Sequence, residues 1–292
     1  MREQINFRNR GNAKLTLDEG FKKFITTKKA MKLSDRSIGF YEDCFRYFTA
    51  FCDPSTLTED ITKDTIIEYL VYINETKPTI TDQTVASYMR GTRPFIRFLM
   101  EAGHTEKFDF PTVKKSEPLK ETYTDDEINK LLVKPDIAKC YFAEYRNWVI
   151  ICHMLATGNR EGTVCNIKNC DVDFGSHEIN LRVVKNRRAY IVPISSKYEK
   201  ILKEYMSHRG GKPDDYLFCN VYQDPLTNNA LRNSIQKYNS RRGVARTSIH
   251  AFRHTFAKKW VLNGGDIFRL QQMLGHSSLD MVKKRELSHI DR

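Results

Sequence analysis

The sequence predicts a mainly α-helical protein with a small β-hairpin or sheet, divided into two domains. Three observations carry this. The 292 residues are more than a single core of about 100–200 residues usually occupies. Apolar residues recur at helical spacing behind two Thr-x-x-Glu capping boxes, Thr16–Glu19 and Thr124–Glu127. Alternating stretches at 172–174, 177–184 and 189–194, the last two separated by Asn186-Arg187-Arg188, read as strands around a hairpin turn.

The first helix follows Thr16, with Leu17, Phe21, Phe24 and Ile25 on one face. A second starts at Ser34 with Ile38, Tyr41, Phe45, Phe48 and Cys52 as its buried stripe, and Asp53-Pro54-Ser55 breaks it. A third runs from about Thr62 to Asn74 through Ile66, Ile67, Leu70, Val71 and Ile73. After Lys77-Pro78-Thr79 a long helix carries Val85, Met89, Ile96, Leu99 and Met100, and Pro94 is expected to kink or split it because it lacks an N–H. Gly103 ends this unit, which spans about 14–108. An extended segment, 109–121, with Pro111 and Pro118, leads into the second domain, 122–292. There, the Thr124 capping box is followed by an apolar helix over 141–156 that stops at Thr157-Gly158. Beyond the hairpin, helices are expected around 197–207, 226–240 and 250–263.

Charge and composition narrow the function. The chain carries 48 Lys+Arg against 36 Asp+Glu, a net charge of +12. From Arg241 onward stand eleven basic residues and four acids, so this tail holds seven of the twelve excess charges. Such a concentration suits either a solvated face or a polyanion such as nucleic acid. On the fourth helix Arg90, Arg93 and Arg97 share a face, again a solvated stripe or a row of phosphate contacts. No apolar run approaches the ~18 residues of a membrane span, and the N-terminus lacks a signal-peptide core, so no membrane partner and a cytoplasmic location are expected. Seven cysteines without a Cys-x-x-Cys pair suit reduced thiols.

Four places hold polar residues that a core does not need: Thr157-Gly158-Asn159-Arg160, Lys185 at the hairpin tip, His250-Ala251-Phe252-Arg253-His254, and Leu274-Gly275-His276. Two arginines can grip the non-bridging oxygens of one phosphate and replace the metal ions that most phosphoryl-transfer sites use. A lysine on a hairpin can protonate a leaving oxygen, and a histidine can take or hold a proton. His250 and His254 also have the i, i+4 spacing of a zinc pair. However, Ala251 stands where the His-Glu-x-x-His motif has glutamate, and no acidic cluster accompanies them, so no metal and no cofactor are expected.

In this order and on these elements, the four motifs resemble the tyrosine recombinase, or phage integrase, family, and within it the integrases of conjugative transposons. The resemblance spans nearly the whole chain. It implies a helical core-binding DNA domain followed by an α+β catalytic domain of the tyrosine-recombinase type. By the resemblance Arg160, Arg253 and His276 stabilise the transition state, Lys185 is the general acid and His250 assists proton removal. Arg187, beside the hairpin lysine, joins Arg90, Arg93 and Arg97 as a DNA-binding candidate. The implied reaction is cleavage and rejoining of double-stranded DNA through a 3′-phosphotyrosine, in a homotetramer on DNA, for integration or transposition of a mobile element.

The sequence departs from the pattern where the chemistry begins. The family's nucleophilic tyrosine stands nine residues after the last histidine, and here that residue is Arg285. The next register offers Glu286, and the last tyrosine of the chain is Tyr238, far upstream. Arginine has no hydroxyl and cannot form the phosphoester. Ser288 and His289 are displaced from the position that in-line attack requires. Thr163 replaces the usual acid three residues after Arg160, and only seven residues follow Arg285, which leaves protomer exchange without its usual segment. Two readings stay open: a site-specific recombinase whose copy here is cleavage-defective, or a non-catalytic DNA-binding relative that occupies recombination sites.

Overall fold

Hydroxyl caps set the helix starts. In the computed structural model, which describes residues 14–113, 121–181 and 189–275, the Thr16 hydroxyl accepts from the Glu19 N–H, and the Glu19 carboxylate accepts from the Thr16 N–H at 3.0 Å. Helix α1 (Leu17–Ala30) follows. Ser34, Thr62 and Thr81 likewise accept a backbone N–H three residues on, opening α2 (Asp35–Thr49), α3 (Lys63–Thr76) and α4 (Asp82–Glu101). These four helices enclose an aromatic core. Phe21 stacks on Phe45 with centroids 3.8 Å apart and meets Phe95 edge-on at 5.3 Å.

The split that Pro94 could have caused does not occur. Helix α4 runs unbroken through Pro94. Nine of its residues are buried, from Val85 to Met100, and that burial outweighs the one backbone hydrogen bond the proline removes. Gly91 lets it approach α2 so closely that a Cβ there would lie 2.2 Å from Cys44 Sγ. On α3 the buried residues are Ile66, Tyr69 and Ile73, whereas Ile67 and Val71 are 40% and 49% exposed. The helix is apolar over a wider arc than its neighbours cover.

The chain divides into two compact units between Pro118 and Leu119. In the second, the Thr124 capping box opens α5 (Asp125–Leu131). Helix α6 (Phe142–Thr157) forms the axis, with every residue from Tyr145 to Met154 buried. Such all-round burial requires partners on several sides. They are α8 (Ser196–Arg209), α9 (Asn228–Arg241) and α10 (Ile249–Leu262).

Strands β1 (Val172–Asp173), β2 (Glu178–Leu181) and β3 (Tyr190–Pro193) form an antiparallel sheet in that order, with Ile179 opposite Val192 and Leu181 opposite Tyr190. Ile179, Leu181 and Val192 face the core. Two short helices were not foreseen: α7 (Glu161–Val164) and α11 (Ile267–Leu274), the latter capped by Asp266 and ended by Gly275 at φ +58°. Both are too short for periodicity to show. Among the described residues no helix is long and apolar enough to cross a membrane.

Candidate active site

Arg160 is placed by the tight turn between α6 and α7. Gly158 ends α6 at φ +64°, and a Cβ there would fall 2.4 Å from Phe256 Cδ1 and 2.9 Å from Leu274 Cδ2. Only glycine fits, so the turn rests directly on α10 and α11. The next residue but two, Glu161, is buried and ion-paired with Arg232 of α9, whose Nε donates to Oε2 at 2.8 Å. This pair holds α7, at whose N-terminus Arg160 stands.

Arg253 reaches the same place from α10. It is 7% exposed. Its Nη1 donates to the Gly158 carbonyl at 2.8 Å and its Nη2 to the Leu274 carbonyl at 2.7 Å. Arg160 Nη1 donates to that same Leu274 oxygen at 3.2 Å. Two guanidiniums from separate elements therefore converge at the end of α11. A site with two such planar donors can neutralise one tetrahedral anion by paired, charge-assisted hydrogen bonds. His250 lies three residues before Arg253 in the first turn of α10, where it is exposed between buried neighbours.

Behind the arginines runs a buried polar chain. The Tyr190 hydroxyl donates to Asn159 Oδ1 at 3.1 Å, Asn159 Nδ2 contacts His153 Nε2 at 3.1 Å, and His153 Nδ1 contacts the Tyr198 oxygen at 2.7 Å. An amide NH₂ can only donate, so Nε2 accepts, and Nδ1 carries the proton toward Tyr198. Burial pushes His153 down to about 3 and Tyr198 well up. Tyr190 is also raised by burial, against the opposing pull of the Arg253 and Arg160 charges and of the Thr163 hydroxyl. Thr163, the departure from the family's acid, thus sits beside Tyr190.

Burial pushes the Cys152 and Cys165 thiols up to about 12, which leaves neither as a thiolate nucleophile. Among the described residues no group of three or more His, Cys, Asp or Glu side chains could hold a metal ion. Lys185, Arg187, His276 and Arg285 lie outside the described residues, as do Glu286, Ser288 and His289. In the first unit Arg90 and Arg97 are exposed on α4. Arg93 between them is half-buried, its Nη2 donating to the Pro111 carbonyl at 3.3 Å and its guanidinium 5.2 Å from the Phe110 ring centre.

The structure thus brings together Arg160 and Arg253, with His250 on the helix face of Arg253. Sequence reasoning missed Tyr190, Asn159, His153 and Tyr198. A signal for two of them was present: a histidine inside an apolar helix, and an asparagine within the buried Thr-Gly-Asn-Arg turn.

Residues 121–285 match the phage integrase family. A tyrosine recombinase of Pseudothermotoga lettingae is 25% identical over 85% of this chain and 86% of its own length. Tyrosine recombinase XerA of Thermococcus onnurineus is 31% identical over 67% of each chain. Among solved structures, the Tn1549 transposon integrase in complex with a circular intermediate DNA superposes with TM-score 0.77 at 19% identity, covering 93% of this chain and 95% of that one. A lambda integrase dimer bound to a COC′ core site superposes with TM-score 0.76 at 18% identity, covering 95% and 98%. At those identities the superpositions establish the fold, mainly helical with a small three-stranded sheet. The sequence match extends over more than half of the chain, and with it the chain belongs to the phage integrase family of tyrosine recombinases.

Proposed function

We propose that the chain is a site-specific DNA recombinase of a mobile element, carrying an intact phosphate-binding site but no nucleophile. The observation that carries this reading is the meeting of Arg160 and Arg253 at the Leu274 carbonyl. In the proposed reaction a tyrosine oxygen bonds to the scissile phosphorus while the bond to the 5′ oxygen breaks. Arg160, Arg253 and His276 stabilise the added negative charge, His250 assists removal of the phenolic proton, and Lys185 protonates the departing 5′ oxygen. The 3′-phosphotyrosine retains the bond energy for rejoining by a second 5′-hydroxyl. Arg285 at the nucleophile position stops this chain at DNA binding.

In this reading residues 14–108 are the core-binding DNA domain, 109–121 the linker and 122–292 the catalytic domain, with Arg90, Arg93, Arg97 and Arg187 facing the phosphate backbone. The solved relatives include a lambda integrase tetramer bound to a Holliday junction, and we extend that assembly to this chain. Arg285 equally favours a second reading, a non-catalytic relative that occupies or regulates recombination sites.

One experiment separates the two. Arg285→Tyr, with Glu286→Tyr as the alternate register, is incubated with a nicked suicide duplex, and covalent adducts are resolved by denaturing electrophoresis. The recombinase reading expects an adduct from one of them. Intact DNA binding without an adduct from either assigns the chain to the second reading.

A further inference from the structure

The buried chain behind the arginines exceeds what packing demands. His153, Asn159 and Thr157 are wholly buried beside apolar neighbours. Apolar side chains of similar shape would fill this space at equal or greater stability, because buried polar groups gain little beyond the desolvation they must offset. What the polar chain adds is direction. Asn159 has one acceptor and one donor group, and here each is engaged: Oδ1 by Tyr190 and Nδ2 by His153. The ring of His153 is then pinned from its other side by Tyr198 of α8. The chain thereby ties β3, the α6–α7 turn, α6 and α8 to one another. Thr157 closes the same turn, its hydroxyl donating to the His153 carbonyl at 2.8 Å and accepting from the Asn159 N–H at 3.3 Å.

Tyr190 is where this chain meets the site. Its ring lies against Gly275, whose Cβ, were there one, would stand 3.3 Å from Tyr190 Cε1 and 3.8 Å from Arg160 Nη1. It therefore touches the end of α11 that both guanidiniums also contact. We propose that Tyr190, held by Asn159, His153 and Tyr198, is a positioning residue that aligns Arg160 and Arg253 by locking β3 to the turn carrying Arg160. The inference rests on the reading of those arginines as the phosphate-binding pair.

Two variants test it. Tyr190→Phe removes the hydroxyl alone. The triple variant His153→Leu/Asn159→Leu/Tyr198→Phe replaces the chain by apolar groups and leaves Tyr190 its Thr163 neighbour. In the Arg285→Tyr background, both are expected to bind duplex DNA within twofold of the parent and to form the adduct about tenfold to a hundredfold more slowly. The melting temperature of the triple variant is expected to equal or exceed that of the parent. Adduct formation within twofold of the parent, or a loss that merely follows a loss of folded protein, overturns the proposal.

If neither Arg285→Tyr nor Glu286→Tyr forms an adduct, the functional reading fails, and the alignment is judged on the unaltered chain. The ¹⁵Nε–H resonances of Arg160 and Arg253, assigned through Arg160→Lys and Arg253→Lys, are expected to move in Tyr190→Phe and in the triple variant. Unchanged arginine resonances overturn the lock. Nitrogen shifts of labelled histidine supply a third check: His153 is expected to be protonated at Nδ1, and an Nε2-protonated ring contradicts the direction of the chain.

Discussion

Acidification from pH 7 to pH 5 should destabilise the second unit through the buried His153. The imidazole is fully buried and held down to about 3 against an ordinary value of 6.5. Between those values the unfolded chain binds a proton that the folded chain refuses, so this contribution is fully present above pH 6.5 and is lost as pH falls toward 3. At about 1.4 kcal/mol per pH unit below 6.5, the loss by pH 5 is about 2 kcal/mol. Carboxylates elsewhere also respond to acid, so the informative quantity is the difference between the wild-type chain and His153→Leu. Trp148 and Trp260, the two tryptophans, both lie in the second unit. Urea unfolding followed by their fluorescence at pH 7, 6 and 5 therefore reports on the relevant part. The stability gap between the two proteins should shift by about 2 kcal/mol over this range, in the variant's favour as pH falls. A shift below about 0.5 kcal/mol would show that water or a counter-charge reaches the ring in the folded state, and would refute the burial argument.

Three further perturbations have defined outcomes. Gly158→Ala forces a side chain into a left-handed turn and onto Phe256, so it should cost about 2–5 kcal/mol in urea unfolding and abolish adduct formation in the Arg285→Tyr background; a loss under about 1 kcal/mol contradicts the close packing. Pro94→Ala restores a hydrogen bond in the middle of α4 and should stabilise the first unit by about 1–3 kcal/mol, read from protection of its amides in hydrogen exchange; unchanged protection would mean the proline carries no helix penalty there. Arg90→Ala and Arg97→Ala should each weaken binding to any duplex and flatten the slope of log K against log salt by about 0.9, measured by fluorescence anisotropy. Arg93→Ala should in addition loosen the 108–113 segment that it holds through Phe110 and Pro111, seen as faster amide exchange there.

Local chemistry was legible along the chain. The capping hydroxyls of Thr16 and Thr124 set two helix starts within a residue, because a cap is satisfied by neighbours three positions away. Alternation at 177–184 and 189–194 marked the arms that hold β2 and β3, because successive side chains of a strand point to opposite faces. Arg160, His250 and Arg253 were picked out as candidates by their motifs and the family resemblance, and the lack of a hydroxyl at Arg285 is plain in the sequence. The stripe of Arg90, Arg93 and Arg97 was also read correctly as one helix face. Nothing local distinguished the middle arginine, since its partner Pro111 lies eighteen residues away.

Other features depend on groups far apart in sequence. Pro94 was expected to kink or split its helix because helix propensity considers one helix by itself, whereas nine buried residues keep α4 continuous against its neighbours. Ile67 and Val71 stand exposed on α3 because an apolar residue does not reveal how wide an arc its neighbours will cover. The carbonyl of Leu274 became the meeting point of two guanidiniums only when α7, α10 and α11 were packed together, across 114 and 21 residues of chain. The sequence by itself determined which charged groups and caps the protein owns, since these follow from side-chain chemistry and short-range spacing. Only the tertiary structure decided that Arg160 and Arg253 share one oxygen and that Tyr190, Asn159 and His153 stand in line behind them, because burial and convergence arise from packing between distant segments.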